Sequence, residues 1–371
     1  DQTSLIMAFF ESKFKPYPFR NEKYGHAQFG WGGGMEHTTV SFMVNFNRGL
    51  IAHELAHQWF GDDITCGSWN NIWLNEGFAT YLASMVIEKF DGETAFINNK
   101  NEMIINITSL PNGAVYVPEN EADNESRIFS GRLSYRKGAM ILNMLRFKLG
   151  DNNFFQGLND YLNDPNLSYG FAKTPDLQAH LETASGMNLS EFFNDWVYQQ
   201  GYPIYDIQAS NYEAGKMQII INQSQSDASV DFFEMPVPIR FLGENGAQQD
   251  VVLDNTFNGQ SYIVDVPFVV TEVVFDPKKD IVSNNNTVTL TDKNFDLNAS
   301  IVVYPNPVSN KLYLEIPESL KLNQIIIYNS LGQKVGNFTS KIIAVENLSD
   351  GIYTLKIETS EGSVYKKIIK K

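Results

Sequence analysis

The chain of 371 residues holds a single cysteine, Cys66. An intrachain disulfide is therefore excluded, and cysteine usage says nothing about the redox compartment. No run of about 20 apolar residues occurs, so no transmembrane segment is expected. Positive charge is scarce: 28 Lys and Arg stand against 43 Asp and Glu, for a net charge of −15. Nucleic-acid binding needs a basic surface, so that function class is excluded. An acidic surface favours solubility and attracts cationic peptides. The apolar fraction of 43% is ordinary and ample for a core. The length implies several domains.

Against this background one motif stands out. His53-Glu54-Leu55-Ala56-His57 reads as H-E-x-x-H, and Glu76 follows after eighteen residues. Two histidines at i and i+4 lie on one helix face, the spacing that lets both imidazoles meet one zinc ion. Glu54 is offset around the helix and can serve as general base without being a ligand. Glu76 supplies a third ligand and leaves a fourth position open, as a catalytic zinc requires. The flanks are apolar and helical, Leu50-Ile51-Ala52 before and Gln58-Trp59-Phe60 after, with Gly61 as the expected stop. Glu76 falls in a second helical pattern over residues 72–90, among Ile72, Trp73, Phe78, Tyr81 and Leu82. An acid in so apolar a stretch is costly unless a cation compensates it. Cys66 reads as a packed small residue, because the zinc motif already accounts for the chemistry. Asp62 and Asp63 read as loop acids, and Arg132 and Arg136 as solvated surface.

Four runs occur in a fixed order: Gly33-Gly34-Met35-Glu36-His37, His53 to Phe60, Trp73-Leu74-Asn75-Glu76-Gly77-Phe78-Ala79, and Ser134-Tyr135-Arg136-Lys137-Gly138-Ala139. Together they resemble the gluzincin aminopeptidases, the aminopeptidase N and leukotriene hydrolase family, over roughly residues 1–205. The resemblance implies one zinc ion held by His53, His57 and Glu76, with Glu54 as general base. It implies that Glu36 holds the free α-ammonium of a peptide and that Tyr135 donates a hydrogen bond to the oxyanion. Without it, Tyr135 reads as a helix-end aromatic and Glu36 as a surface acid. Gly33, Gly34 and Met35 are expected to let the backbone approach substrate closely. The β-rich run His37 to Met43 is expected to pair with an extended peptide as an edge strand. The family's motif around Glu36 usually ends in Asn, where this chain has His37. In the family a β-rich domain precedes this point and adds a second residue to the α-ammonium site. Asp1 to Ser4 opens straight into a helix at Leu5 to Phe10, with no signal peptide, so an N-terminally truncated chain is expected.

The expected fold class is multidomain: an α+β thermolysin-like zinc peptidase lobe over 1–107 and a helical lobe over 108–205, then all-β pieces. In the helical lobe, helices are expected at Arg132–Leu149, at Asn153–Leu162, from a Thr174 cap onward, and at Leu189–Gln199. Runs at 217–221, 237–241, 251–253 and 273–275 suggest a small β-sandwich over 206–283. The polar stretch 284–300 reads as a linker. Residues 301–371 carry nine Lys and six Asp plus Glu, net +3, against −18 for the rest. Expected strands there are 311–316, 324–329, 351–358 and 364–370. Tyr304-Pro305-Asn306-Pro307, Tyr328-Asn329-Ser330-Leu331-Gly332, Leu348-Ser349-Asp350-Gly351-Ile352-Tyr353 and the lysine-rich end resemble a C-terminal type IX secretion sorting domain of Bacteroidetes. That resemblance implies a β-sandwich tail, engagement of the secretion machinery through 301–371, and export across the outer membrane to a secreted or surface location.

The whole reads as a zinc aminopeptidase acting on peptides with a free N-terminus. Rival readings are a thermolysin-like endopeptidase, an epoxide hydrolase as in one family branch, and a non-catalytic surface binding module.

Overall fold

The computed structural model describes residues 2–213, 215–291, 301–317, 320–359 and 362–371. These form a mixed α and β chain of two compact units. The first holds residues 1–208, 220–262 and 270–289, and the second 209–219, 263–269 and 290–371.

The first unit begins with α1 (Gln2–Lys13), then β1 (Gly25–Gln28), β2 (Gly34–Met35) and β3 (Val40–Met43). β3 is central, parallel to β1 and antiparallel to β2. The expectation that this run offers a free edge is therefore corrected: both edges of β3 are already paired, and β1 and β2 are the outer strands. Next come α2 (Arg48–Ala56), β4 (Ile64–Cys66), α3 (Trp73–Asp91), α4 (Glu93–Ile107) and α5 (Glu125–Ile128). Residues 131–137 wind as a π-helix and lead into α6 (Gly138–Asn163). β5 (Gly170–Ala172), parallel to β4, α7 (Thr174–Ser185), α8 (Ser190–Phe193) and a π-helix over Asn194–Tyr198 complete the helical part.

Gly150, non-helical at φ 76°, divides α6 into two helices at a kink, so the break expected before Asp151 is real. Thr174 is not the cap of α7. It is the first helical residue, and Asp176 Oδ2 accepts from Lys173 N at 2.7 Å. Buried Thr174 instead donates its Oγ1 to Asn71 Oδ1 and accepts from Trp73 Nε1.

The helices are locked by buried aromatics. Phe60 stacks on Phe78 at 4.0 Å and on Tyr161 at 6.4 Å, and Phe78 stacks on Trp73 at 6.5 Å. This ladder joins the turn after α2 to α3 and α6. Where α3 and α6 cross, Gly77 faces Gly138, and a Cβ on Gly138 would lie 3.1 Å from the Gly77 Cα. Two absent side chains thus let the backbones touch. Lys137, beside this crossing, is fully buried and donates to Gly113 O at 2.8 Å and Gly201 O at 3.1 Å. Burial lowers its pKa to about 7.

The chain continues as β6 (Pro203–Glu213), β7 (Lys216–Gln225), β8 (Met235–Gly243), β9 (Gln248–Asn255), β10 (Gln260–Asp265), β11 (Val270–Phe275) and β12 (Thr287–Thr291). They form two sheets, in the orders β10-β7-β6-β12 and β11-β8-β9. The polar run expected as a linker is in part the strand β12. Its asparagines are hydrogen-bonding partners: Asn286 Oδ1 accepts from Tyr205 N and Asn284 Nδ2 donates to Thr108 Oγ1. Residues 292–300 of that expected linker lie outside the described ones.

The second unit contains β13 (Val302–Tyr304), β14 (Lys311–Glu315), β15 (Leu322–Tyr328), β16 (Lys334–Phe338), β17 (Ile342–Ala344), β18 (Gly351–Thr359) and β19 (Gly362–Lys370). Its sheets run β13-β14-β17 and β16-β15-β18-β19 around a core that includes Leu312, Ile325, Ile327, Leu355 and Ile368. β13, β16 and β17 are too short or too polar to show in the sequence pattern.

Gly138→Ala should lower the unfolding midpoint of the first unit by about 1–3 kcal/mol equivalent, because the added methyl meets backbone rather than a movable side chain. Urea unfolding followed by tryptophan emission reads this. The pH dependence of Lys137 has a defined sign. Its folded pKa of about 7 lies below the ordinary 10.5, so the unfolded chain takes up the proton first as pH falls. The wild type should lose stability relative to Lys137→Met as pH drops from about 10.5 to about 7, by up to about 1.4 kcal/mol per pH unit, and level off below. Melting curves at several pH values in that window check it.

Candidate metal centre and active site

α2 is capped by Asn47, whose side chain accepts from Leu50 N, and its regular turns end at Ala56. His57 therefore sits at the C-terminal boundary rather than mid-helix. The i, i+4 relation survives: His53 Nε2 and His57 Nε2 are 3.3 Å apart. α3 brings Glu76 Oε2 to 3.3 Å from His53 Nε2 and 3.5 Å from His57 Nε2. Tetrahedral ligands at about 2.0–2.2 Å from a zinc ion stand about 3.3–3.6 Å from one another. The three atoms thus form one face of a tetrahedron of the right size. Glu76 Oε2 is buried and meets no donor in hydrogen-bonding geometry, so an acceptor is left to be satisfied there. The donor set and its spacing fit zinc.

His57 is held from behind, its Nδ1 3.1 Å from Phe60 O, which directs Nε2 towards the cluster. Burial opposes a charge on His57, but the carboxylates of Glu36, Glu76 and Glu54 outweigh it and raise its pKa well above the imidazole range. The same neighbours would favour any cation at this point. Burial works against ionised Glu76 too, and the two histidines more than offset it, holding the carboxyl below its usual range.

Glu54 is buried, and burial pushes its carboxyl up to about 7. Its carboxylate lies directly against Gly34: a Cβ built there would stand 2.1 Å from Glu54 Oε1. Carboxylate and ring atoms of Glu36, Glu54 and His57 lie within 4.8 Å of one another. The expected substrate-side run splits accordingly: Gly34 makes room for Glu54, Gly33 turns at φ 78°, and Met35 is exposed beside the half-buried Glu36. His37 is exposed and packs edge-on against Phe42.

Tyr135 comes from the π-helical stretch, where its N–H reaches back to Ser130 O at 3.4 Å. Such wide turns are rare and recur at functional sites. Its ring is parallel to that of His53, with centroids 5.9 Å apart. Burial and then Glu76 raise the phenol pKa, so it stays a donor. The nearby Gly77–Gly138 contact sets how closely this turn approaches Glu76. All nine residues singled out from the sequence thus converge on one region, and all but Gly33, His53, Glu54 and His57 line a common cavity of about 830 Å³.

Residues 1–196 match the peptidase family M1 domain. The chain belongs to peptidase family M1. Residues 302–371 match the secretion system C-terminal sorting domain. Among curated relatives, mitochondrial aminopeptidase 2 of Saccharomyces cerevisiae is 31% identical over 280 residues, covering 68% of this chain and 29% of the relative. The alanine/arginine aminopeptidase of the same yeast is 37% identical over 163 residues, 43% of this chain and 19% of the relative. Tricorn protease-interacting factor F2 of Thermoplasma volcanium is 31% identical over 212 residues, 56% of this chain and 26% of the relative. The chain therefore spans about a quarter of the length of such relatives.

The structure corrects two minor readings, those of Asp63 and Arg132. Asp63 lies in the turn after α2 but is fully buried, paired with Lys15 at 2.5 Å and accepting from Ser168 Oγ and Tyr169 N. Asp62 accepts from Gln58 Nε2 at 2.6 Å. Arg132 is not solvated surface, because it donates to Ile107 O and Asn112 O. Arg136 is exposed. Cys66 lines the cavity, and burial pushes its thiol up to about 11, so it stays neutral. Sequence reasoning missed Gln58 and Asn75. Gln58 is fully buried, and Asn75 Oδ1 accepts from Cys66 N at 2.9 Å. Their signal was a polar amide inside an apolar run, which a fold tolerates only when the amide is hydrogen-bonded.

Equilibrium dialysis against zinc should give one ion per chain. His57→Ala and Glu76→Gln should each weaken binding by more than the roughly 10–100-fold of an outer-shell change. Zinc retention equal to that of the wild type in both variants would rule out this ligand set.

Proposed function

We propose that this chain is a zinc-dependent aminopeptidase that removes N-terminal residues from peptides. The observation that carries the reading is the convergence of His53, His57 and Glu76 at 3.3–3.5 Å, with Glu36 and Glu54 beside His57. When bound, zinc supplies Lewis-acid polarisation of the scissile carbonyl and acidifies water. Every other task falls to side chains of the chain itself.

Glu54 takes a proton from the attacking water and passes it to the leaving amine. Its burial suits this, because a carboxyl with a pKa of about 7 can both accept and release a proton near neutrality. Tyr135 donates to the oxygen on which charge develops, a contact worth about 2–4 kcal/mol in comparable oxyanion sites. Glu36 pairs with the α-ammonium, so the bond cleaved is the first from the N-terminus. A thermolysin-like endopeptidase has no need of that carboxylate, which is why the exopeptidase reading is preferred. The tail supports a second part of the proposal: residues 302–371 direct export across the outer membrane to a secreted or surface location.

A matched pair of peptides, one with a free and one with an acetylated N-terminus, tests the reading on zinc-loaded protein. Only the free peptide should be cleaved. Glu54→Gln should reduce turnover by about 10²–10⁴-fold. Glu36→Gln should reduce kcat/KM for the free peptide by about 10–100-fold, the loss of one charge-assisted contact. Cleavage of both peptides alike would make the chain an endopeptidase. Zinc binding without cleavage of either would favour a binding role.

A further inference from the structure

We infer that Gln58 is a positioning residue, which fixes Glu36 relative to the His53–His57–Glu76 cluster and so sets the register in which a free N-terminus binds. The inference rests on the α-ammonium role proposed above for Glu36.

Gln58 follows His57 directly and is fully buried. Its side chain has two donors and two acceptor sites, and all four are used. Oε1 accepts from Tyr17 OH at 3.1 Å and from Thr39 N at 2.9 Å. Nε2 donates to Glu36 O at 3.1 Å and to Asp62 Oδ2 at 2.6 Å. The orientation of the amide is determined. A backbone N–H such as that of Thr39 can only donate and a carbonyl such as that of Glu36 can only accept, so a flipped amide would set donor against donor and acceptor against acceptor.

The two backbone partners belong to one tight turn and its approach. Glu36 immediately precedes the turn, Val40 N closes it by donating to His37 O at 3.0 Å, and Thr39 is its third residue, at φ 69°. A β-branched residue rarely adopts a positive φ, and such strain persists only where the surroundings impose it. Gln58 grips Thr39 on its N–H, and Gly25 N donates to its carbonyl at 2.9 Å. On the near side, the strand of Gly34 is seated on the Glu54 carboxylate with no room for a Cβ. The segment carrying Glu36 is thus fastened at two points, to α2 through the missing side chain of Gly34 and to the turn that follows α2 through the amide of Gln58. Glu36 is the one residue of the segment whose carboxylate enters the cluster with His57. Misplacement of such a group by about 1 Å costs binding and rate even when all catalytic groups remain.

A merely structural amide would affect stability alone. A positioning amide affects discrimination between free and blocked N-termini while leaving the metal in place. The test uses the zinc-loaded full chain in a Glu54→Gln background, which slows turnover enough for binding to be read. Trialanine and N-acetyl-trialanine are titrated calorimetrically, and zinc content and melting temperature are measured in parallel. Glu54→Gln alone should bind trialanine at least about ten-fold more tightly than the blocked peptide. Adding Gln58→Met should cut that ratio to within about three-fold, with one zinc retained. Gln58→Glu keeps the two accepted bonds but loses both donations, to Glu36 O and to Asp62 Oδ2, and it should lower the ratio in the same way. If Gln58→Met does not fold, Gln58→Glu decides the matter alone. An undiminished ratio in the folded variants overturns the inference and leaves the α-ammonium reading intact. Loss of zinc along with the ratio also overturns it, since Gln58 would then be holding the metal helix. A ratio near one in Glu54→Gln itself overturns the α-ammonium reading, and this inference with it.

Discussion

Two acids, Glu54 and Glu76, are buried beside two imidazoles, with a third acid, Glu36, within reach of His57. Withdrawing carboxylates from water costs several kcal/mol each unless a cation meets them. The rest of the first unit can be understood as the frame that makes this burial tolerable. Glu76 is held below its usual pKa range by the histidines, while for Glu54 burial outweighs the pull of His57 and pushes the carboxyl up. Neighbouring carboxylates thus take opposite protonation tendencies, one suited to ligating a cation and one to moving a proton.

The frame is built from contacts that bring backbones unusually close. Gly34 lets a strand lie on Glu54, and the Gly77–Gly138 crossing lets the π-helical turn of Tyr135 approach Glu76. Between them, the stacked rings of Trp73, Phe78, Phe60 and Tyr161 keep the helices in register. Polar groups inside the frame are satisfied by unusual partners: Lys137 by two carbonyls, Gln58 by four groups, and Asp63 by Lys15 and a loop. Each is a buried polar group with little alternative, and each therefore specifies one arrangement of the chain.

These differences in partner also explain what the sequence could reveal. The cluster of His53, His57 and Glu76 was legible because a helix converts a spacing of four into adjacency, and because Glu76 was an acid in an apolar helix. Helices with apolar stripes were legible for the same reason, as was the break at Gly150. Glu36 and Tyr135 were legible only through resemblance, since their place depends on a turn and a π-helical stretch that no periodicity announces. Thr174 misled because a Thr-Pro-Asp run suits a cap, yet tertiary hydrogen bonds to Asn71 and Trp73 claim its hydroxyl. The polar run after Ser283 looked like a linker because its asparagines read as solvated, whereas two of them serve neighbouring backbone and side-chain groups. Gln58 was hidden because its four partners are brought together only by the tertiary fold.

The tail shows the same logic in a separate unit. Its recognisable motif residues are occupied internally. Asn306 donates to Lys367 O and accepts from Ile369 N, tying the Pro-Asn-Pro loop to β19. Asn329 accepts from Leu331 N and Gln333 N to shape a turn, and Tyr353 OH donates to Ser349 O. Such residues recur in a motif because the loops need them, so a match to the motif is in the first place a match of fold. The lysines of the last strand have a different basis. β19 is the outermost strand of its sheet, and Lys366 and Lys367 lie along it. Charge on an outer strand discourages pairing with a second chain. The loop at 306–308 covers part of the same edge, since Val308 N donates to Ile369 O and Lys371 N to Val308 O, so charge and backbone pairing guard one strand together, while the fold beneath depends on neutral asparagine and tyrosine side chains.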